Sequence, residues 1–182
     1  MDVLHELNKY LFMMINEDED AYLHSIYFAI FSAEYLIVWF FFILFIYLVT
    51  KHKNNKRVWL SIVFSIVIGV VITYLIRKGW YHPRPFLLQL GTNFLPHDAS
   101  SSFPSKHLTS VFATLAGLLA LKQTRALGLL VLPIVLTIAW SRIYLGVHWP
   151  LDILGALLIG IVAAVLSKYM VYKGIHLAES KY

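Results

Sequence analysis

The segment SRIYLGVHWPLD, residues 141–152, places Arg142, His148 and Asp152 at intervals of six and four residues. A histidine and an aspartate four apart meet when the chain between them is helical. Pro150 is compatible with a first helical turn. Asp152 would then accept the N–H of one ring nitrogen, which fixes the tautomer and leaves the other nitrogen as a nucleophile. Two further segments add related chemistry. RKGWYHPRP (77–85) carries Arg77, Lys78 and Arg84, and FPSKH (103–107) carries Ser105, Lys106 and His107. Guanidinium forks match phosphate oxygens bidentately. Ser105 opens a predicted helix, whose free N–H groups and dipole also favour an anion. His107, on a different helix, is placed to protonate a leaving oxygen. The economical reading is a phosphate site in which two histidines divide the roles of nucleophile and acid.

Other chemistries fit less well. A serine-hydrolase pairing of Ser105 with His107 fails because residues two apart do not face each other on a helix. No Gly-x-Ser-x-Gly elbow surrounds Ser105, and the arginines would have no task. A zinc site is disfavoured by the lack of His-Glu-x-x-His and the few carboxylates near the histidines. A docking protein that merely holds a phospholipid would not need the His148–Asp152 pair. With no cysteine, thiolate and disulfide chemistry are excluded. The net charge of +5 is not a nucleic-acid signature, because the basic residues fall at helix ends rather than on one aromatic-interleaved strip.

The elements that must position these groups are membrane helices. The 182 residues are 59% hydrophobic and 14% charged, and long stretches carry no charge at all. An all-α bundle is predicted, with five embedded helices at approximately 27–50, 58–76, 107–121, 126–140 and 151–172. The second would be about 28 Å long at 1.5 Å per residue, close to the hydrocarbon thickness. The third and fourth look short, so their ends should sit in protein-lined recesses. The long non-helical stretch from Lys78 to Ser105 is expected to be functional.

Residues 1–20 form a surface helix and an acidic linker ahead of the spans, within a single domain covering 1–182. Asp2 and Glu6 stand where a secretory signal would be basic. Val3, Leu4, Leu7, Leu11, Met14 and Ile15 recur at helical spacing. That pattern suits either an amphipathic helix lying on the membrane or one packed on the rim of the bundle.

Charge sets the expected orientation. KHKNNKR (51–57) holds four Lys/Arg residues, KQTR (122–125) two, and the tail after Ser167 three. Cytoplasmic placement of all three satisfies the positive-inside rule and leaves NEDED (16–20) outside. Up-and-down tracing then brings the three chemical segments to one outer level. Glu34 is an acidic residue about 15 Å down the first span from His24. It either hydrogen-bonds a neighbouring helix or lines a cavity below the phosphate site.

RKGWYHPRP, PSKH and SRIYLGVHWPLD resemble the three signature segments of the type-2 phosphatidic acid phosphatase (PAP2) superfamily, which includes vanadium haloperoxidases. The third segment fits the family pattern throughout: Ser-Arg, five residues, His, three residues, Asp. With LPHDASSSFPSKH (95–107) and its length, the chain is similar to bacterial undecaprenyl-diphosphate phosphatases of the bacitracin-resistance type. The resemblance spans the chain from about Glu34 onward.

Two departures stand out. Arg77 occupies the position where the family usually has lysine, and Lys78 comes one residue later, roughly 100° round a helix. Lys106 replaces the glycine of Pro-Ser-Gly-His, either touching phosphate or snorkelling outward.

The resemblance implies a multi-pass enzyme of the bacterial plasma membrane with its site facing outside, needing neither metal nor cofactor. His148 would attack the terminal phosphorus, His107 would protonate the departing oxygen, and water would release the phosphate. Arg84, Arg142, Ser105 and Arg77 or Lys78 would hold the non-bridging oxygens. The expected partners are the bilayer and a polyprenyl or other lipid phosphate. Phosphatidylglycerol-phosphate, phosphatidate and lipid A phosphatases, and phosphotransferases to lipid A, belong to the same superfamily.

Overall fold

Apolar runs interrupted by charged turns fold into helices throughout, in the computed structural model that describes residues 3–18 and 20–179. Asp2, Glu19 and Lys181 lie outside the described residues. Helix α1 spans Val3–Ile15. Helix α2 (Leu23–Ile30) passes through one π-helical turn, Phe31–Tyr35, into α3 (Leu36–His52). Then come α4 (Lys56–Gly79), α5 (Lys106–Ala120), α6 (Arg125–Tyr144) and α7 (Pro150–Glu179).

Among the described residues, four helical stretches are long and apolar enough to cross a membrane: Leu23–His52, Lys56–Gly79, Arg125–Tyr144 and Pro150–Gly174. The expected fourth span is therefore longer than its apolar run suggests. It does not stop at Trp140, because Ser141 and Arg142 are buried by protein and continue the helix. The short helix is α5, with 15 residues. It forms the centre of the bundle, packed against α4, α6 and α7, so its apolar face meets protein as well as lipid.

Close approach and internal polar bonds hold the helices in register. At Gly160 of α7 an added Cβ would lie 2.7 Å from the Ala113 amide nitrogen of α5, so only glycine permits that contact. Ser65 Oγ donates to Ala113 O (2.7 Å), and Ser167 Oγ to Ser61 O (2.6 Å). In an apolar environment such hydroxyls must find partners, and each bond joins two helices.

The two basic loops and Lys168 of α7 lie at one end of the bundle. Asn55 Nδ2 donates to Gln123 Oε1 across the loops, and Lys168 Nζ donates to Ala120 O. The chemical segments all lie at the opposite end.

Helix α1 packs on the rim of the bundle, one of the two placements left open by its sequence. Asn8 and Phe12 are buried against the bundle. Val3, Leu7 and Met14 stay exposed, an apolar stripe suited to a membrane surface.

Candidate active site

The turn between α6 and α7 fixes the spacing of the third segment. The Gly146 N–H donates to Ile143 O and the Val147 N–H to Arg142 O, the paired bonds that close a Schellman C-cap. Gly146 supplies the required left-handed conformation at φ +76°, and a Cβ there would sit 2.2 Å from Thr92 O. The chain reverses, and the His148 N–H also returns to Arg142 O. Arg142 at the end of α6 and His148 in the turn are thereby locked together.

His148 therefore precedes α7 and does not share a helical face with Asp152. They meet because Asp152 reaches back from the first turn of the helix. Its Oδ2 accepts the Trp149 N–H at 2.8 Å, as the third residue of a capping box does. The same oxygen lies 3.1 Å from His148 Nδ1 and accepts the Ser102 hydroxyl. The next amide, Leu151 N–H, is capped by Asn8 Oδ1 of α1 at 3.0 Å. Both Asp152 and His148 are buried.

Arginine decides the tautomer. Arg84 Nη1 lies 3.3 Å from His148 Nε2, and Ser105 Oγ lies 3.2 Å from it. A guanidinium has no acceptor, so Nε2 must accept and the ring proton sits on Nδ1, facing Asp152. Burial, then the charges of Arg142 and Arg84, push the His148 pKa well below the usual 6.5. The result is a neutral imidazole with Nε2 free to attack.

Three arginines surround this ring. Arg84 is held by Ser100 O (Nε, 3.1 Å) and Val147 O (Nη1, 3.0 Å). Burial and the neighbouring Arg77 and Arg142 lower its pKa to about 10, which still leaves it charged at neutral pH. Arg77 donates from Nη1 to Ser102 O and Pro104 O and from Nη2 to Ser100 Oγ. Arg142 is buried, with Nε and Nη2 free of hydrogen bonds. Three guanidinium groups around one imidazole suit an anion, whose oxygens their forks match.

The remaining predicted residues divide clearly. Lys78 is exposed, and among the described residues no hydrogen bond or ion pair joins it to the arginines. Rotation along α4 turns Arg77 inward and Lys78 outward. Lys106 is exposed too, beside Val70, Thr73 and Tyr74 on the outer side of α4. Ser105 precedes α5, but its hydroxyl turns to His148 instead of capping the helix. His107, in the first turn of α5, lines an open groove of about 480 Å³ together with Arg142, Ser110, Glu34 and His97. Glu34 thus lines the same groove as Arg142 and His107. Leu95, in the loop between α4 and α5, packs with Ala29 and Ala33 of the first span.

The sequence profile of the PAP2 superfamily matches residues 58–175, a stretch that holds all three segments. The chain belongs to the PAP2 superfamily. This PAP2 chain is 34% identical over 160 residues to YbjG of Escherichia coli, covering 88% of this chain and 80% of that one. It is 35% identical over 138 residues to the undecaprenyl-diphosphatase BcrC of Bacillus subtilis, covering 75% and 70%. Its fold is similar to the crystal structure of Aquifex aeolicus LpxE, with a TM-score of 0.69 and 26% identity over 88% of this chain and 94% of that one.

Several residues of the PAP2 site carry no clear mark in the sequence. Ser102 bonds Asp152, and its N–H donates to His82 O at 2.7 Å. His82 Nδ1 lies 3.8 Å from Asp152 Oδ1. His97 stands 6.3 Å from His148, ring centre to ring centre. The one available signal was the serine run 100–102 between two chemical segments, because hydroxyls at membrane depth need partners.

Proposed function

We propose that this PAP2 chain hydrolyses undecaprenyl diphosphate to undecaprenyl phosphate on the outer face of the bacterial plasma membrane, recycling the cell-wall carrier lipid and conferring bacitracin resistance. The observation that carries the reading is His148, a buried neutral imidazole whose Nε2 accepts from Arg84 while Nδ1 faces Asp152. The identity with BcrC supports the substrate. The groove supports a lipid, since beyond Arg142 and His107 its wall becomes Ile37, Val38 and Phe41.

Nε2 attacks the terminal phosphorus and the P–O bond to the lipid phosphate breaks. His107 gives that oxygen a proton. The phosphoimidazole keeps its Nδ1–H on Asp152, which stabilises the positive ring. Arg84, Arg142 and Arg77 hold the non-bridging oxygens while charge builds up on them. Water, giving its proton to His107, then attacks the phosphorus. The P–N bond breaks, inorganic phosphate leaves and His148 is restored.

The test is phosphate release by purified protein from undecaprenyl diphosphate, phosphatidylglycerol phosphate, phosphatidate and lipid A 1-phosphate. The isoprenoid diphosphate should show the highest kcat/KM. A faster glycerophospholipid or lipid A substrate would overturn the assignment.

A further inference from the structure

The hydrogen-bond donors around His148 are unequally committed. Arg77 is engaged by Ser102 O, Pro104 O and Ser100 Oγ, and Arg84 by Ser100 O and Val147 O. Arg142 Nε and Nη2 and His97 Nδ1 are buried without a hydrogen-bond partner among the described residues, and both residues line the groove. A buried nitrogen without a partner is unfavourable unless a ligand supplies one.

His97 follows a stretch of loop that is held against the bundle. Its loop is anchored by Phe94 N–H to Leu145 O at 3.1 Å, by Leu95 N–H to Asn93 Oδ1 at 3.2 Å, and by Leu95 packed on Ala29 and Ala33. Its ring is 6.3 Å from that of His148, centre to centre and edge-to-face. That is too far for the rings to bond each other. It is within reach of a group attached to the phosphate that His148 attacks. Glu34, the carboxylate on the groove wall, balances Arg142 rather than His97.

We propose that His97 holds the second phosphate of the substrate, the one that departs with the lipid, and so makes the site selective for diphosphates over monophosphates. In its Nδ1–H tautomer, His97 donates to a non-bridging oxygen of the leaving phosphate, beside Arg142. A lipid monophosphate has nothing at that position, and the contact contributes nothing to its turnover. His97 is neutral at pH 7, since burial and the charges of Arg84 and Arg142 lower its pKa to about 4. Recognition is therefore by hydrogen bond and does not require a proton from solution.

The inference rests on His148 as nucleophile, and the experiment separates the two. Purified full-length protein is assayed with farnesyl diphosphate and farnesyl monophosphate. Wild type should prefer the diphosphate. His97→Ala should lower kcat/KM for the diphosphate about ten-fold or more and leave the monophosphate within about two-fold. His97→Gln, which retains an N–H donor, should recover most of the lost preference. Equal losses on both substrates, or none on either, would overturn the subsite. So would a wild type without preference. If His97→Ala gives no folded protein, the substrate ratios of His97→Gln and His97→Leu decide, with only Leu expected to lose the preference. Undiminished activity of His148→Ala on both substrates would instead remove the nucleophile assignment and leave the His97 ratio to be read by itself.

Discussion

Arg84 directs an N–H at His148 Nε2 from 3.3 Å, while Asp152 Oδ2 lies 3.1 Å from Nδ1 on the other side of the ring. The ring is thus held in one tautomer between a donor that cannot accept and a carboxylate. His148→Ala should abolish turnover. Asp152→Asn should reduce kcat by roughly 10²–10⁴, the scale seen when tautomer control is lost in a catalytic triad. Ser102→Ala removes one of the three donors to Oδ2 and should cost about ten-fold, near 1.4 kcal/mol. Steady-state kinetics on the three variants check this order, and an Asp152→Asn rate near wild type would contradict it.

Acid should destabilise the protein through its neutral histidines. The pKa of His97 is lowered to about 4 and that of His148 well below 6.5. Both native values lie below the ordinary value, so the unfolded chain binds protons that the native state refuses. Stability is then full above about 6.5 and falls as the pH drops toward 4. Thermal unfolding in detergent at several pH values should show that decline, and His97→Gln should flatten it. A midpoint that rises on acidification would show that other groups dominate.

Helix α1 should matter to catalysis although it lies outside the three segments. Asn8 Oδ1 caps the Leu151 N–H, and Phe12 packs on Trp149 with ring centres 5.1 Å apart. Asn8→Ala should cost about 1 kcal/mol, as lost helix caps do. The helix it caps carries Asp152, so kcat should fall more than KM changes. Asn8→Asp preserves the acceptor and should retain activity. If Asn8→Ala lowers only the melting temperature, α1 is merely structural.

Which parts of this site can be read from sequence depends on what sets each position. Arg142, His148 and Asp152 are readable because a helix end, a tight turn and a helix start fix their spacing locally. Arg77 and Lys78 could not be separated, since the choice depends on how α4 is rotated against the loop carrying Ser100 to Pro104. Ser102, His82 and His97 lie on irregular backbone without periodicity. Their places come from long-range bonds such as Ser102 N–H to His82 O and Asn16 to Thr92. The end of α6 at Tyr144 is obscured for the opposite reason. Polar Ser141 and Arg142 look like a boundary in lipid but are ordinary inside protein.

The proposed orientation is directly testable. Asn54 is exposed in the basic loop before α4, and Asp18 is exposed after α1 at the other end. A cysteine replacing Asn54 should be shielded from an impermeant thiol reagent in intact cells, and one replacing Asp18 should be labelled. The reverse pattern would put the site in the cytoplasm and end the outer-leaflet reading.

Glu34 is the remaining charged residue of the groove. It sits in the single π-helical turn of its helix, among Arg142, His107 and His97. Such turns shift a helix's register locally and are common at functional sites. A carboxylate in a membrane helix is costly against lipid, and Glu34 instead shares a groove with Arg142. It balances the Arg142 charge and shares the groove with His107. Glu34→Gln keeps the shape and removes the charge. It should fold at normal yield in detergent and lose about ten-fold or more in turnover, equivalent to 1.4 kcal/mol. Glu34→Ala should lose turnover to a similar degree. If Glu34→Gln turns over normally while Glu34→Ala only lowers the folded yield, the carboxylate is a packing residue and has no part in the reaction.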